Sequence, residues 1–336
     1  MDETSTRRSF VTLGLFIIDE FAFMDEHGRP TGRVLEPQIG GGGTYAAIGA
    51  RIWLPPSQIG MILDKGHDFP GPIEDALLQY GQEMWMFREQ PQHATTRALN
   101  SYKGENPSFE YTTPRIRITP EDLRATGLAN PKVLHFICPP ARALAIMSEV
   151  QDGWSSVAVY EPVPDRCIPE ELPALKKVLP LISVLSPNAE EAFSLLSIPL
   201  PPTKTMIEKA TKDFLDMGVG KEGSGWVLIR CGALGAYMES RATNGRWVEA
   251  FWAEDVDKVV DVTGAGNSFL GGFAAGLELS GGDIYEAALH ASISASFVIE
   301  QGGLPVISEG SAGKWNGDNP FRRLDVLRKR HEHHKD

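Results

Sequence analysis

The sequence has few cysteines and no long apolar segment. Its 336 residues contain only three cysteines, Cys138, Cys167 and Cys231, and no CxxC pair. An odd number of widely spaced cysteines indicates neither a disulfide framework nor a zinc site, so a reducing, cytoplasmic location is expected. The longest apolar candidate, residues 10–18, is far shorter than the roughly 18 residues that a membrane span needs, and no membrane partner is expected.

The sequence also lacks an excess of positive charge and the best-known phosphate-binding motifs. With 32 Lys and Arg against 44 Asp and Glu, its net charge is −12, which makes a nucleic-acid partner unexpected. It contains no G-x-x-x-x-G-K-[ST] loop and no His-Arg-Asp or Asp-Phe-Gly. Hydrophobic residues make up 42% of the chain and charged ones 23%, as in ordinary globular proteins. A folded protein with a small-molecule substrate is therefore favoured.

Several short apolar segments predict the strands of an α/β fold. Residues 10–18 are almost continuously apolar and rich in β-branched and aromatic side chains, as in a parallel strand buried on both faces. The segments 133–138, 156–160, 179–185 and 226–231 have the same character. Asp19 follows the first of these strands, where it would contact a substrate or cap a turn. The polar, β-compatible segment 89–118 indicates a small sheet or lid outside the core.

Two further segments allow both a structural and a functional interpretation. Four glycines, Gly40 to Gly43, precede a helix predicted over residues 44–50. They would let the backbone approach a ligand closely, or they form a flexible loop. After the strand at 179–185, Asn188 and Glu191 lie three residues apart on one helical face. They would form a capping box or help to hold a hydrated Mg²⁺.

The most informative segment is residues 259–273, which predicts a strand, a glycine turn and a helix. Small residues at the start of a helix leave several N–H groups directed at one point. With the helix dipole, they form an anion hole suited to a phosphoryl group in transfer. The alternative to an anion hole, given equal weight, is that this segment simply caps a helix whose glycine-rich face packs closely against a neighbour.

Taken together, these motifs resemble the ribokinase-like (PfkB) family of carbohydrate and nucleoside kinases over residues 10–305. Asp261-Val262-Thr263-Gly264-Ala265-Gly266-Asn267 is similar to the family signature D-T-x-G-A-G-D in all but two places. Pro187 to Glu191 matches the motif P-N-x-x-E, and Gly232 to Gly235 matches the nucleotide-side G-x-x-G turn. Gly40 to Ala50 matches the family's glycine pair and helix, and Gly14 with Asp19 matches its first strand. The run from Gly266 to Gly272 resembles the same run in a fungal branch of the family, in which asparagine is the native residue at the position of Asn267.

This resemblance implies an α/β, ribokinase-like three-layer fold with a central, mostly parallel sheet flanked by helices. A small β lid would come from about residues 20–38 and 90–118. The kinase domain would span residues 10–305, followed by a C-terminal extension at 306–336. The family also contains homodimers formed through the lid, and the same arrangement is a candidate here.

The resemblance also implies the site and its ligands, which are a small-molecule acceptor, ATP, Mg²⁺ and, in some members, a monovalent cation. On this basis, Asp19, Gly41 and Gly42 would contact acceptor hydroxyls. Asn188 and Glu191 would organise Mg²⁺ indirectly and the phosphates. The remaining expected site residues belong to the nucleotide and phosphate side: Gly232 and Gly235 beside the nucleotide, Asp261 anchoring the loop, and Gly264, Ala265 and Gly266 forming the anion hole.

Two departures from the family pattern bear on function. Asn267 stands where the family has its catalytic aspartate, and an amide cannot accept a hydroxyl proton near pH 7. Loss of a general base typically costs about 10²- to 10⁴-fold in rate. Phosphoryl transfer depends mainly on positioning and charge stabilisation, so slow activity would remain. Tyr45 stands where the family often has a sugar-binding asparagine, so ribose is not a safe substrate assignment.

Two functions therefore remain open from the sequence. The first is an ATP-dependent phosphotransferase that acts on a hydroxyl of a small sugar-like acceptor, with catalysis weakened at Asn267. The second is an inactive pseudokinase that binds nucleotide or serves as a scaffold.

Overall fold

A computed structural model describes residues 7–103, 106–150, 153–308 and 313–333. Within these residues the strands are β1 (Phe10–Thr12), β2 (Ile17–Met24), β3 (Gln38–Gly40), β4 (Ile59–Gly66), β5 (Trp85–Gln90), β6 (Arg97–Lys103), β7 (Asn106–Tyr111), β8 (Val133–Cys138), β9 (Val157–Pro162), β10 (Val184–Leu185), β11 (Trp226–Arg230), β12 (Ala236–Ser240) and β13 (Thr243–Val248). The helices are α1 (Gly42–Arg51), α2 (Gly71–Leu78), α3 (Pro120–Leu123), α4 (Pro140–Glu149), α5 (Leu172–Val178), α6 (Ala189–Leu195), α7 (Lys204–Asp216), α8 (Ala265–Leu279), α9 (Ile284–Val298) and α10 (Pro320–His333). None of these helices is long and apolar enough to cross a membrane.

The strands form one large sheet and one small sheet. The large sheet has nine strands in the order β13-β12-β11-β10-β9-β8-β1-β4-β5. Its neighbours from β11 to β5 are all parallel, whereas β12 and β13 form an antiparallel edge. The small sheet has the order β3-β2-β6-β7 and comes from the two segments expected to form a lid. The predicted mostly parallel sheet and the additional small sheet are therefore both confirmed.

Helices cover both faces of the large sheet because its parallel strands are apolar on both sides. Adjacent residues on one strand, such as Val133 and Leu134 of β8, belong to two different hydrophobic clusters. The first cluster includes side chains of α1, α2, α8, α9 and α10, and the second includes side chains of α3 to α7. The result is the predicted arrangement of three layers.

Three predicted strands differ in the structure. The chain leaves the large sheet after Thr12 and enters the small sheet at Ile17, so residues 10–18 form two strands rather than one. Only Val184 and Leu185 of the segment 179–185 form a strand, because Pro180 lies in a 3₁₀ turn. No strand forms at residues 259–262, where Val262 is 67% exposed. Val259 and Val262 border a cavity and do not pack in the sheet.

Close contact between α1 and α8 sets the position of the glycine turn that precedes α8. A Cβ placed on Gly49 of α1 would overlap the backbone of Ser268, and one on Gly271 of α8 would overlap the carbonyl oxygen of Ala46. Such backbone-to-backbone packing is accessible only to residues without a side chain. It holds the first turn of α8 against the start of α1.

The C-terminal helix α10 packs on the same layer. Leu324 and Leu327 are buried in its core, and Phe321 meets Trp53 edge to face. Arg323 is 3% exposed and forms salt bridges with Glu300 and Asp318. The helix therefore contributes to the core of the sheet–helix unit, while the domain limits 10–305 and 306–336 remain a prediction.

We expect Gly271→Ala to lower the free energy of unfolding by about 2 kcal/mol or more, because overpacking forces the two helices apart. Urea unfolding of the full chain measures this value. Gly71→Ala is the matched control, since a Cβ on Gly71 at the start of α2 meets no atom within 4 Å. Equal stability of the two variants would contradict the role given to this helix contact.

Candidate functional site

The glycine turn before α8 fits between two side chains. Gly264 has a left-handed backbone with φ of 75°. A Cβ on Gly264 would overlap the ring of Tyr45, and one on Gly266 would overlap the guanidinium of Arg230. Within the described residues, the backbone N–H groups of Gly266 and Asn267 meet no backbone acceptor. At the N-terminus of a helix of 15 residues, such groups favour an anion.

Asp261 has a local role in this turn. Its Oδ1 accepts a hydrogen bond of 2.9 Å from the backbone N–H of Thr263. This contact agrees with the expectation that Asp261 anchors the loop. Ala265 and Gly266, the first two residues of α8 after this turn, border the cavity described below.

Beneath the turn lies a buried ion network centred on Arg230, at the end of β11. Its Nη1 is 2.8 Å from Glu161 Oε1, and its Nη2 is 3.6 Å from Glu191 Oε2. Nη2 also donates to the carbonyl oxygen of Ser186 at 3.0 Å. Arg230 Nε has no hydrogen-bond partner among the described residues. The three charged groups are almost fully buried, so their charges are compensated mainly by one another.

The two carboxylates of this network titrate differently. Burial opposes the ionisation of Glu161, but Arg230, His135 and Asn267 outweigh it and hold its pKa below the ordinary value. Burial raises the pKa of Glu191 to about 7, although Arg230 acts in the opposite direction. Glu161 is therefore the ionised partner of Arg230, whereas Glu191 exchanges a proton near neutrality.

Asn267 is part of the same network. Its Nδ2 donates to Glu161 Oε2 at 2.9 Å, and because a carboxylate only accepts, this contact fixes the orientation of the amide. His135 Nε2 is 3.3 Å from the same oxygen, and His135 Nδ1 is 2.9 Å from Thr12 Oγ1. His135 is thus a buried, hydrogen-bonded core residue, and it supports Glu161.

Asn188 and Glu191 form the predicted capping box at the start of α6. Asn188 Oδ1 accepts from the N–H of Glu191 at 2.8 Å, and Glu191 Oε2 accepts from the N–H of Asn188 at 2.7 Å. Within the described part of the chain, no cluster of three or more His, Cys, Asp or Glu residues is placed to hold a metal ion. Of the two roles that the sequence allowed, the structure contains the capping box, and an indirect contact of Asn188 and Glu191 to Mg²⁺ stays a prediction.

A cavity of about 510 Å³ lies beside the first residues of α8; after the sequence-based expectation for Gly232 and Gly235, we call it the nucleotide-side cavity. Gly232 and Gly235, in the turn after β11, line it together with Ala265 and Gly266 of α8. Gly235 has φ of 92°, and a Cβ there would overlap the carbonyl oxygen of Val248. The other walls are mainly apolar, including Phe251, Val256, Phe269 and Ala295. Its size and lining suit a planar heterocycle next to an anion-binding turn.

A second cavity, of about 390 Å³, begins at Gly42, the first residue of α1; after the sequence-based expectation for Gly42, we call it the acceptor-side cavity. Leu13, Leu15 and Ile17, in and after the β1–β2 connection, line it together with Gly42. A Cβ on Gly42 would be 3.0 Å from Asn267 Nδ2, so Asn267 lies beside Gly42, although it does not itself line the cavity. Gly41, with φ of 92°, lets the chain pass close to Leu15 before α1 begins.

Asp19 and Tyr45 do not line the acceptor-side cavity. Asp19, within β2, accepts a hydrogen bond of 3.2 Å from Asn100 Nδ2. Tyr45 is only 3% exposed because its ring packs against Gly264. Burial, with the charges of Asp19 and Asp261, raises the pKa of Tyr45 far above its ordinary value. Tyr45 thus supports the glycine turn rather than reshaping the cavity wall.

Sequence reasoning missed Glu161 and Arg230. Both lie at the carboxyl ends of parallel strands, where ligands bind in open α/β sheets. A charged residue at the end of an otherwise apolar strand is a signal available from the sequence. Their pairing is not, because 69 residues separate them and only the order of the strands brings them together.

The pKa of Asp19 leads to a test of its environment. Burial raises this pKa from 3.8 to about 6, so the folded chain binds the proton more tightly than the unfolded chain. The contribution of Asp19 to the free energy of unfolding should therefore fall as pH rises from about 4 to about 6. We expect Asp19→Asn to remove about 1–3 kcal/mol of this loss, measured by urea unfolding at each pH.

Asp257→Asn is the charge-matched control at an exposed position. It should reproduce the pH dependence of the native chain. A constant difference between the native chain and Asp19→Asn across this pH range would contradict the assignment.

Comparison with known proteins agrees with this geometry. Residues 128–308 match the pfkB family carbohydrate kinase. The chain is 36% identical to an uncharacterized protein of Schizosaccharomyces pombe, over 96% of this chain and 94% of that protein. It is 31% identical to Protein MAK32 of Saccharomyces cerevisiae, over 96% and 93%. An Escherichia coli ribokinase II candidate, solved with ATP and Mg²⁺, has a TM-score of 0.67 at 19% identity, covering 96% of this chain and all of that one. The chain therefore belongs to the pfkB family of carbohydrate kinases.

Proposed function

We propose that this protein is an ATP-dependent phosphotransferase that acts on a hydroxyl of a small sugar-like acceptor. One observation carries the proposal: the first residues of α8, Ala265 and Gly266, line the nucleotide-side cavity, and the side chain of the next residue, Asn267, lies beside Gly42, which lines the acceptor-side cavity. A kinase needs two ligands to meet at a group that stabilises negative charge. The E. coli relative solved with ATP and Mg²⁺ supports the choice of nucleotide.

The residues present fit this nucleotide. The apolar walls around Phe251 and Val256 would hold the base, and the turn Gly232 to Gly235 would follow the sugar and phosphates. The orphaned N–H groups of the α8 turn would face the phosphates. Mg²⁺ would receive most of its ligands from the phosphates and water, with Asn188 and Glu191 contributing through water.

In the proposed reaction, the acceptor oxygen bonds to the γ-phosphorus while the bond to the ADP oxygen breaks. Asn267 donates through Nδ2 to Glu161, which leaves its Oδ1 to accept and orient the acceptor hydroxyl. Neither Asn267 nor the ion-paired Glu161 can hold the hydroxyl proton, which is therefore released to water. Because the transition state is loose, catalysis by positioning and charge stabilisation is sufficient for slow turnover.

Asn267 itself favours the second function, that of a nucleotide-binding pseudokinase. Its amide is held by a buried carboxylate, and it supplies no general base. The intact glycine turn and the open nucleotide-side cavity support nucleotide binding under either function. The two functions differ only in turnover.

Nucleotide binding is tested with Ala295→Phe, because Ala295 lines the nucleotide-side cavity and a phenyl ring there would fill it. We expect the affinity for Mg·ADP, measured by calorimetry, to fall at least 10-fold. Ala145→Phe, on an exposed position of α4, is the control and should leave the affinity unchanged. If the native chain binds neither ADP nor ATP with Mg²⁺, both functions are wrong.

Turnover is tested by acceptor-dependent ADP release over a panel of sugars and nucleosides. Asn267→Asp alone would place a second carboxylate 2.9 Å from Glu161, where two negative charges are not both sustained. We therefore expect little gain from Asn267→Asp. Asn267→Asp combined with Glu161→Gln should raise the rate by about 10²-fold or more, because a free base is then present.

Glu161→Gln alone is the control for the single variant Asn267→Asp and for the double variant. Unfolding of each variant is measured in parallel, so that a loss of stability is distinguished from a loss of turnover. Turnover by the native chain would establish the kinase. Turnover by the double variant alone would make the native chain a pseudokinase. A full gain from Asn267→Asp alone would contradict the coupling between Asn267 and Glu161.

A further inference from the structure

The acceptor-side cavity is positively charged in a chain whose net charge is −12. Four arginines line it, against the two carboxylates of Asp165 and Glu171, an excess of two positive charges. The four are Arg115, Arg117, Arg142 and Arg166. A neutral sugar needs no such excess, because its hydroxyls are bound by single polar side chains and backbone groups.

Most of this positive charge is not paired directly with a carboxylate. Arg166 forms a salt bridge with Glu171, but no salt bridge of the other three arginines exists within the described residues. Arg115 lies 4.2 Å above the ring of Tyr111. Arg142 donates to the carbonyl oxygen of Ile118 at 2.8 Å. Arg117, in the same part of the chain, makes neither a hydrogen bond nor a salt bridge.

The charges also act on one another. Burial lowers the pKa of Arg142, and the neighbouring charge of Arg117 acts in the same direction, whereas Cys138, Glu149 and Asp122 raise it. The cavity also includes the first turn of α4, whose N-terminus has no side-chain cap. Arg142 is half-buried and the other three arginines are exposed. Cations gathered beside a helix N-terminus repel one another and favour an anion between them.

We propose that the acceptor is a phosphate monoester of a sugar or polyol, with its phosphate held by Arg117 and Arg142. This inference rests on the proposed function, since it assigns the acceptor of that site. A phosphate monoester carries close to two negative charges at neutral pH, which matches the excess of two positive charges. Arginine binds phosphate through paired N–H groups, so the site distinguishes a phosphate ester from a neutral sugar.

The first test measures binding to the full-length chain by calorimetry. The probes are glucose 6-phosphate, ribose 5-phosphate, inorganic phosphate, gluconate and neutral ribose. We expect at least one of the two sugar phosphates to bind at least 10-fold more tightly than ribose, and more tightly than gluconate. Equal binding of ribose and both sugar phosphates would overturn the proposal, and tighter binding of gluconate would assign a carboxylate instead of the phosphate.

The second test compares two arginine variants. Arg117→Gln should weaken sugar phosphate binding at least 10-fold and leave Mg·ADP binding unchanged. Arg124→Gln is the control, because Arg124 is exposed, pairs with Glu121 and lies outside the cavity. Unchanged sugar phosphate binding by Arg117→Gln would overturn the proposal. Arg142→Gln provides a second variant that should show the same loss.

Failure of this inference is distinguishable from failure of the proposed function. If Mg·ADP binds and no sugar phosphate does, the phosphate-bearing acceptor is wrong and the nucleotide site stands. If neither ligand binds the native chain, both are wrong.

Discussion

The candidate site depends on the burial of the Arg230 guanidinium between two carboxylates. A buried cation needs compensation close by; Glu161 supplies it at 2.8 Å from the end of β9, and Glu191 of α6 lies slightly further away, at 3.6 Å. Because these groups come from separate strands and a helix, the charge contact fixes how the ends of those elements meet. The α8 turn packs directly on the guanidinium through Gly266. The anion-binding geometry is therefore built on an ion pair and not on glycine flexibility alone.

This network gives a physical reason for asparagine at position 267. Its amide donates to Glu161, so the pair carries one negative charge where an aspartate would create two. Arg230 neutralises that one charge. Seen in this way, the departure from the family signature is one part of a set of compensating residues, in which His135 also takes part.

The sequence predicted some elements of the fold and of the candidate site and failed to predict others. The apolar strands at 133–138 and 226–231, the capping box at Asn188 and the α8 turn were predicted because their signals are local. The division of residues 10–18 between two sheets was not predicted, because both halves of the segment are equally apolar. In the structure, the chain passes from one sheet to the other where Gly14 approaches Gly43. The pairing of Glu161 with Arg230, and the gathering of arginines around one cavity, depend on strand order and on loops distant in sequence.

The division of the first predicted strand has a mechanical consequence. Four connections join the small sheet to the rest of the chain: the short one between β1 and β2, Gly41 between β3 and α1, residues 91–96 between β5 and β6, and residues 112–119 between β7 and α3. Leu13, Leu15 and Gly42, at the first two connections, line the acceptor-side cavity. A ligand bound in this cavity would therefore contact two of the four connections on which the position of the small sheet depends.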